Sequence, residues 1–302
     1  MRGCKSLRCW HWPVHGNESK PDREVDTAPE FEETGYGLCT MDLSLKGRRA
    51  LVCGSTQGIG RAAAIELAQL GAEVILLARN EERLGSVASE LTSVHGQRHS
   101  WMVADFSDPA SVADAARRGI TPERPVHILI NNTGGPPGGP AHTADPETFL
   151  AAFRAHVICS QILVQACLPG MKAAGFGRII NVISTSVKAP IPNLGVSNTI
   201  RAAVANWAKT LSLELGGFAI TVNNVLPGFT DTQRLAELFT GRAQKSGLAY
   251  EQVVQEAVAS IPAGRLGRPE ETAAAIAFLA SPAAAYINGI NLPVDGGRTP
   301  SL

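Results

Sequence analysis

Residues 46–65 read Lys-Gly-Arg-Arg-Ala-Leu-Val-Cys-Gly-Ser-Thr-Gln-Gly-Ile-Gly-Arg-Ala-Ala-Ala-Ile. The small and apolar residues at 50–53 predict a parallel strand that is covered on both faces. The alanine- and leucine-rich stretch at 61–70 predicts a helix, so the glycines between them lie in a turn from strand to helix. Because the N-terminus of a helix attracts anions, this turn is expected to bind the pyrophosphate of a dinucleotide.

Three glycines shape this turn. Gly54 permits a tight turn, Gly58 lets the backbone approach phosphate without a Cβ in the way, and Gly60 allows the helix to pack closely on the strand. They are separated by three residues and then by one, whereas the usual Rossmann motif has gaps of one and then two. The turn is therefore a variant of that motif.

This variant spacing resembles the glycine motif of the short-chain dehydrogenase/reductase family, and later segments are similar to other motifs of that family. These segments are Asn131-Asn132-Thr133-Gly134, Arg178-Ile-Ile-Asn-Val-Ile-Ser184, Pro227-Gly228, Ile261-Pro-Ala-Gly-Arg-Leu-Gly-Arg-Pro-Glu270 and Val294-Asp-Gly-Gly297. The last two resemble the beta-ketoacyl-carrier-protein reductase branch. The resemblance covers about residues 43–299 and implies an α/β fold, with a single Rossmann-type doubly wound parallel sheet of about seven strands and helices on both faces.

The chain after residue 49 alternates between strand and helix patterns, which predicts a parallel, doubly wound sheet with right-handed crossovers. Strands are predicted at 50–53, 74–78, 100–103, 126–131, 178–183, 220–225 and 290–294. The clearest further helices are predicted at 81–91, 111–118, 146–173, 200–215 and 270–279. Ligands bind at the carboxyl ends of the strands in such sheets, so candidate site residues are those that follow the strands.

Length and charge narrow the class of protein. The chain has 302 residues, and its 27 basic and 27 acidic residues cancel, so neither nucleic acid nor an anionic membrane is expected as its main partner. No apolar run is seen to approach the ~18 residues that span a bilayer, so a soluble, cytoplasmic protein is expected. We further expect a homodimer or homotetramer that acts on a small-molecule or acyl substrate.

Residues 1–40 show neither helical nor strand periodicity. They are expected to be a disordered leader or to precede a biological start at Met41, with the dinucleotide-binding domain at 41–302. A zinc site formed by the cysteines and histidines of this segment is disfavoured because their spacing matches no standard finger, and no metal is expected. The remaining cysteines, Cys53, Cys159 and Cys167, are expected to be buried, reduced thiols.

The residue that follows the second strand indicates whether the cofactor is NAD or NADP. An acidic residue there would bind the ribose 2′-OH of NAD, whereas an arginine suits the 2′-phosphate of NADP. Arg79 therefore favours NADP(H) over NAD; the alternative is a solvated charge that pairs with Glu81 or Glu82. The resemblance implies further cofactor contacts from Ser55, Gln57, Ile59, Asp105, Asn131, Thr133, Gly134, Arg201, Pro227, Gly228 and Thr232.

The positions that carry catalysis in the family differ in this chain. The family has a serine after the fifth strand, a tyrosine thirteen residues later and a lysine one helical turn beyond it. Tyrosine donates the proton, lysine lowers its pKa and holds the nicotinamide ribose, and serine positions the carbonyl. Counting from Ser184 reaches Ser197 and then Arg201, while the family's asparagine position falls on His156. Of the family's serine, tyrosine, lysine and asparagine, this chain keeps the serine, as Ser184.

These replacements change the expected proton relay. The Ser197 hydroxyl is a poor proton donor at neutral pH, and Arg201 supplies charge and hydrogen bonds to the ribose but cannot shuttle a proton. His156 either takes over the proton, because imidazole titrates near neutrality, or is a hydrogen-bonded core histidine. Tyr250, in a lid at about 230–262, is either another donor or a packing residue. The loop at 134–140 is expected to form a shaped wall over the substrate.

Three functions remain open at this stage. The first is an NADP(H)-dependent oxidoreductase that interconverts a carbonyl and an alcohol, similar to a 3-oxoacyl reductase, with an altered proton relay. The second is a redox-inactive nucleotide-binding scaffold or sensor, and the third is a dehydratase or isomerase on the same fold. The cofactor turn supports the first two equally, while Ser184 and the lid favour an enzyme, so the family analogy favours the oxidoreductase.

Overall fold

The computed structural model describes residues 41–301. The predictions made for residues 1–40, including the leader and its cysteines and histidines, lie outside the described residues.

The described chain forms one sheet of seven parallel strands in the order β3-β2-β1-β4-β5-β6-β7. The strands are β1 (Arg49–Cys53), β2 (Glu73–Ala78), β3 (Ser100–Val103), β4 (Ile128–Asn131), β5 (Gly177–Val182), β6 (Ile220–Pro227) and β7 (Asn291–Val294). All seven predicted strands are confirmed, with ends that differ by up to two residues. The strand order reverses between β1 and β4, which is where sheets of this kind bind nucleotides.

Helices connect the strands and cover the sheet. They are α1 (Gly58–Gln69), α2 (Glu81–Glu90), α3 (Pro109–Gly119), α4 (Pro146–Phe153), α5 (Cys159–Ala173), α6 (Gly195–Leu215), α7 (Gln233–Ser246), α8 (Tyr250–Ala259) and α9 (Pro269–Ala280). The helix predicted at 146–173 is confirmed as a continuous helical run, within which a π-helical turn at Arg154–Ile158 joins α4 to α5. The helix predicted at 200–215 begins five residues earlier, at Gly195, so Ser197 lies in its first turn.

Two hydrophobic cores cover the two faces of the sheet. Successive residues of β1 alternate between them: Ala50 and Val52 pack in the first core, and Leu51 and Cys53 pack in the second. The first core includes side chains of α1 and α9, and the second includes side chains of α3, α5 and α6. This burial on both faces explains why the strands read as continuous apolar runs. The thiols of Cys53, Cys159 and Cys167 are free and buried, as predicted.

The continuous helical run Pro146–Ala173 is 28 residues long, and its most apolar window has a mean hydropathy of 1.4. It is long and apolar enough to cross a membrane by these two measures alone, so the expectation that no apolar run reaches this length is wrong. Its side chains Leu163, Val164, Cys167 and Met171 are fully buried in the second core. Packing against the sheet therefore accounts for the apolar residues in its second half.

Candidate active site

The glycine turn after β1 has the close packing that the sequence predicts. Gly54 adopts a φ of +58°, and a Cβ at that position would lie 2.7 Å from the carbonyl oxygen of Asn132. A Cβ at Gly60 would overlap the carbonyl oxygen of Gly54. Side chains are excluded at both positions, so the turn packs closely against Asn132 and the start of α1.

Two other segments close around this turn. The Asn132 amide, which follows β4, donates to the carbonyl oxygens of Cys53 (3.2 Å) and Gly54 (3.3 Å). On the far side, Cγ2 of Thr232 lies 3.2 Å from the position of a Cβ on Gly58. Thr232 also caps α7, because its hydroxyl accepts from the Leu235 amide. The role of Asn132 was not predicted; its position after the strand beside β1 is the signal that would have indicated it.

The side chains of the turn itself face in different directions. The Ser55 hydroxyl is fully buried and accepts a hydrogen bond of 3.1 Å from the Leu77 amide, which holds the turn to β2. Ile59 is partly buried against the first core. Gln57 is exposed at the N-terminus of α1. Of these three, Gln57 has its side chain exposed to solvent. Because the Ser55 hydroxyl is buried, Ser55 can contact a cofactor only through its backbone.

Arg79 directly follows β2 and is exposed. Among the ion pairs of residues 41–301, none joins it to Glu81 or Glu82, so the alternative of a paired surface charge is not seen. Hydrogen bonds from Ser107 hold the pKa of Asp105 below its ordinary value, and the nearby charge of Arg79 lowers it further. Arg79 and Asp105 therefore lie along the same edge of the sheet, on the side predicted for adenosine.

The asparagine predicted to contact the cofactor belongs to a ladder across four strands. Asn131 donates to Asn181 (2.9 Å), Asn181 donates to Asn224 (2.9 Å), and Asn224 donates to Asn291 (2.8 Å). The ladder follows the register of β4 to β7. The side-chain oxygen of Asn131 is buried and has no partner among the described residues. Asn131 lines a small cavity of about 10 Å³ that is also lined by His156 and Arg201.

The structure places Ser184 and Arg201 at the end of β5, and Ser197 in the first turn of α6. The Ser184 hydroxyl accepts from the Ser186 amide at 3.1 Å, which leaves a hydroxyl proton that Ser184 can donate. Ser197 is partly buried one helical turn before Arg201 on α6. The buried guanidinium of Arg201 donates to the carbonyl oxygen of Val182 at 2.9 Å, which ties α6 to β5. Its Nε has no partner among the described residues.

His156 lies inside the π-helical turn and is 4% exposed. Burial lowers its pKa to about 2, the charge of Arg201 lowers it as well, and a hydrogen bond with the Gly134 backbone opposes them. The imidazole is therefore neutral at physiological pH. This geometry favours the buried, hydrogen-bonded histidine over an imidazolium acid.

We expect His156 to make the protein less stable in mild acid. Its pKa is lower in the folded than in the unfolded protein, so the unfolded state binds a proton first as pH falls through about 6.5, and stability present above that pH is lost. The free energy of unfolding should fall by up to about 1.4 kcal/mol per pH unit from this group. His156→Asn should show a shallower slope in urea titrations from pH 7.5 to 5. His127, whose pKa burial also lowers, contributes to both proteins equally, so equal slopes would contradict a neutral His156.

The lid predicted at about 230–262 contains α7 and α8, which share a small core of Leu235, Phe239, Val253 and Ala257. The Tyr250 ring packs edge-on against Phe239 with 6.5 Å between ring centroids. This contact agrees with the interpretation of Tyr250 as a packing residue of the lid.

The fold and this site can be compared with known proteins. Residues 54–299 match the family described as Enoyl-(Acyl carrier protein) reductase. The NADPH-dependent reductase BacG of Bacillus subtilis is 32% identical and aligns with 84% of this chain and 99% of its own length. The 3-oxoacyl-[acyl-carrier-protein] reductase FabG of Pseudomonas aeruginosa is 35% identical, with 84% and 98% covered.

Solved structures agree with these sequence relatives. The L-sorbose reductase of Gluconobacter frateurii, whose crystal structure is complexed with NADPH and L-sorbose, superimposes with a TM-score of 0.80 at 29% identity. The match covers 87% of this chain and all of that one. Together with the glycine turn, the strand order and the family match over residues 54–299, these likenesses show that the chain belongs to the short-chain dehydrogenase/reductase family.

Proposed function

We propose that this protein is an NADP(H)-dependent oxidoreductase that interconverts a carbonyl and an alcohol, similar to a 3-oxoacyl reductase, with an altered proton relay. The observation that carries the proposal is the open glycine turn at the strand-order reversal, with the exposed Arg79 at the end of the next strand. Arginine matches the 2′-phosphate of NADP in charge and geometry. The names of BacG and of the sorbose reductase complex support the same cofactor.

The chain offers a partner for each part of the cofactor. The amides of the glycine turn and of the first turn of α1 would hold the pyrophosphate. Arg79 would bind the 2′-phosphate, Arg201 the nicotinamide ribose and Thr232 the carboxamide, as the family resemblance implies. Further contacts are assigned to Gln57, Gly58, Ile59, Asp105, Asn131, Thr133, Gly134, Pro227 and Gly228, and to the backbone of Ser55. The bound nicotinamide supplies or accepts a hydride.

The protein's part in the reaction is to orient and polarise the carbonyl. The free hydroxyl proton of Ser184 is available to the carbonyl oxygen, and the positive charge of Arg201 stabilises the negative charge that develops there. Ser197 is a weak acid, Arg201 keeps its proton, and His156 is neutral. The proton is therefore drawn from water, and we expect slow turnover of simple carbonyl substrates.

The same features favour a second candidate, a redox-inactive protein that binds the nucleotide as a scaffold or sensor. An intact cofactor turn beside a site with no strong proton donor is what such a protein would retain. We give it second place because Ser184 and Arg201 are both still directed to the end of β5.

The proposed function is tested by NADPH consumption with a panel of ketones, aldehydes, a 3-oxoacyl thioester and an enoyl thioester. We expect slow but measurable oxidation of NADPH with at least one carbonyl compound. Tight NADPH binding with no consumption across the whole panel would favour the sensor instead.

A further inference from the structure

Two guanidinium groups meet at the loop after β4. A Cβ placed on Gly135 would lie 3.6 Å from Nη2 of Arg201 and 3.7 Å from Nη2 of Arg234. Arg201 reaches this point from α6, inside the candidate site, and Arg234 reaches it from the start of α7, in the lid. Because residue 135 has no side chain, both guanidinium groups can approach the backbone of this loop closely.

Neither positive charge is neutralised strongly. No carboxylate among residues 41–301 forms an ion pair with Arg201, and its buried Nε lacks a partner. Arg234 donates to the carbonyl oxygen of Pro136 at 2.8 Å. Within residues 41–301, Arg234 forms an ion pair with Glu237 at 3.9 Å, and both of those side chains are about half exposed, so this pair contributes little.

The two charges also repel each other. Burial lowers the pKa of Arg201 to about 10, and the charge of Arg234 lowers it further. Two like charges brought together beside a water-poor site are unfavourable unless an anion lies between them. Guanidinium groups pair with carboxylates through two parallel hydrogen bonds, so a carboxylate matches the charge and the hydrogen-bond donors at this position.

We propose that Arg201 and Arg234 bind a carboxylate group of the substrate, which makes an oxo acid the substrate class of this enzyme. The inference rests on the proposed function, because the carboxylate lies next to the site where the carbonyl is reduced. Arg234 then acts as a specificity residue: it is carried by the lid, and it contacts the substrate when the lid covers the site.

The test is equilibrium binding of benzoate to the NADP⁺-saturated protein, with benzamide as the neutral isostere. At saturating NADP⁺, the cofactor's own phosphates occupy the phosphate-binding positions of the protein. Any benzoate that binds is therefore bound at the substrate site. We expect benzoate to bind more tightly than benzamide and Arg234→Gln to weaken benzoate about tenfold, with benzamide unchanged. Arg242→Gln is the matched control, because Arg242 lies on the same helix and pairs with Glu256.

A second variant checks the position of the anion. Gly135→Ala adds a methyl group at ordinary contact distance from both guanidinium groups, so the protein should fold and benzoate binding should again weaken. Equal binding of benzoate and benzamide, or an Arg234→Gln variant that binds benzoate like wild type, would overturn the proposal. Inorganic phosphate that displaces benzoate at lower concentration than benzoate's own Kd would assign the site to a phosphate group instead.

The benzoate measurements need no turnover, so they can be compared with NADPH consumption as an independent result. If benzoate binding depends on Arg234 while no carbonyl compound is reduced, the carboxylate site stands and the oxidoreductase function fails. If NADPH is consumed equally well with an oxo acid and its methyl ester, the function stands and the carboxylate site fails.

Discussion

Changing Ser197 to tyrosine together with Arg201 to lysine should raise turnover of neutral ketones and aldehydes by about 10²- to 10⁴-fold, the usual contribution of a positioned proton donor. The phenol would occupy the first turn of α6, and the lysine would lie one turn further on the same face. The measurement is kcat for NADPH oxidation with neutral substrates, which do not need the Arg201 and Arg234 pair.

The two single variants show how much of the gain comes from the phenol at position 197 and how much from the lysine at position 201. Arg201→Lys alone should give no gain, because this change introduces no phenol. Ser197→Tyr alone should recover most of the gain, since Arg201 keeps the positive charge that favours the phenolate. Rapid turnover by the wild-type protein, unchanged in the double variant, would show that another group already supplies the proton.

Replacing Arg79 by alanine should remove most of the preference for NADPH over NADH. The wild-type protein should bind NADPH at least several-fold more tightly, and the loss of charged hydrogen bonds to the 2′-phosphate should weaken NADPH by about 10- to 100-fold. NADH binding should change little. Fluorescence titration of both nucleotides measures the two dissociation constants.

Arg83 provides the control for that experiment, because it is an exposed arginine in the first turn of α2. Arg83→Ala should leave both affinities unchanged. Equal affinities of the wild-type protein for NADPH and NADH would show that Arg79 does not bind the 2′-phosphate. An Arg79→Ala variant that keeps its preference for NADPH would show the same.

The strands and the glycine turn were predictable because their causes are local. Burial on both faces makes β1 continuously apolar, and the positive φ of Gly54 and the closeness of Gly60 to the Gly54 carbonyl arise within a few residues. The π-helical turn around His156 has no such local signature. The sequence there continues an apolar helical pattern. The change from α-helical to π-helical hydrogen bonding is seen in the backbone of the structure.

The parts of the site that sequence reasoning missed are contacts between distant segments. The Asn132 amide bonds to a turn 78 and 79 residues earlier, and the asparagine ladder depends on the register of four strands. Arg201 and Arg234 meet because α6 and the lid both reach the loop at Gly135. Residue type alone allows several roles for each of these side chains. Their contacts in the folded chain reduce the number of possible roles.

The most direct test of the proposed chemistry is transfer of deuterium from NADPH carrying deuterium at the nicotinamide C4 position. The protein is incubated with this cofactor and the carbonyl panel, and the alcohol products are analysed by mass spectrometry, which detects slow turnover. We predict deuterium on the former carbonyl carbon of at least one product, with a higher yield from NADPH than from NADH. NADPH binding without deuterium in any product, for the wild-type protein and for the Ser197→Tyr, Arg201→Lys variant alike, would contradict the oxidoreductase function.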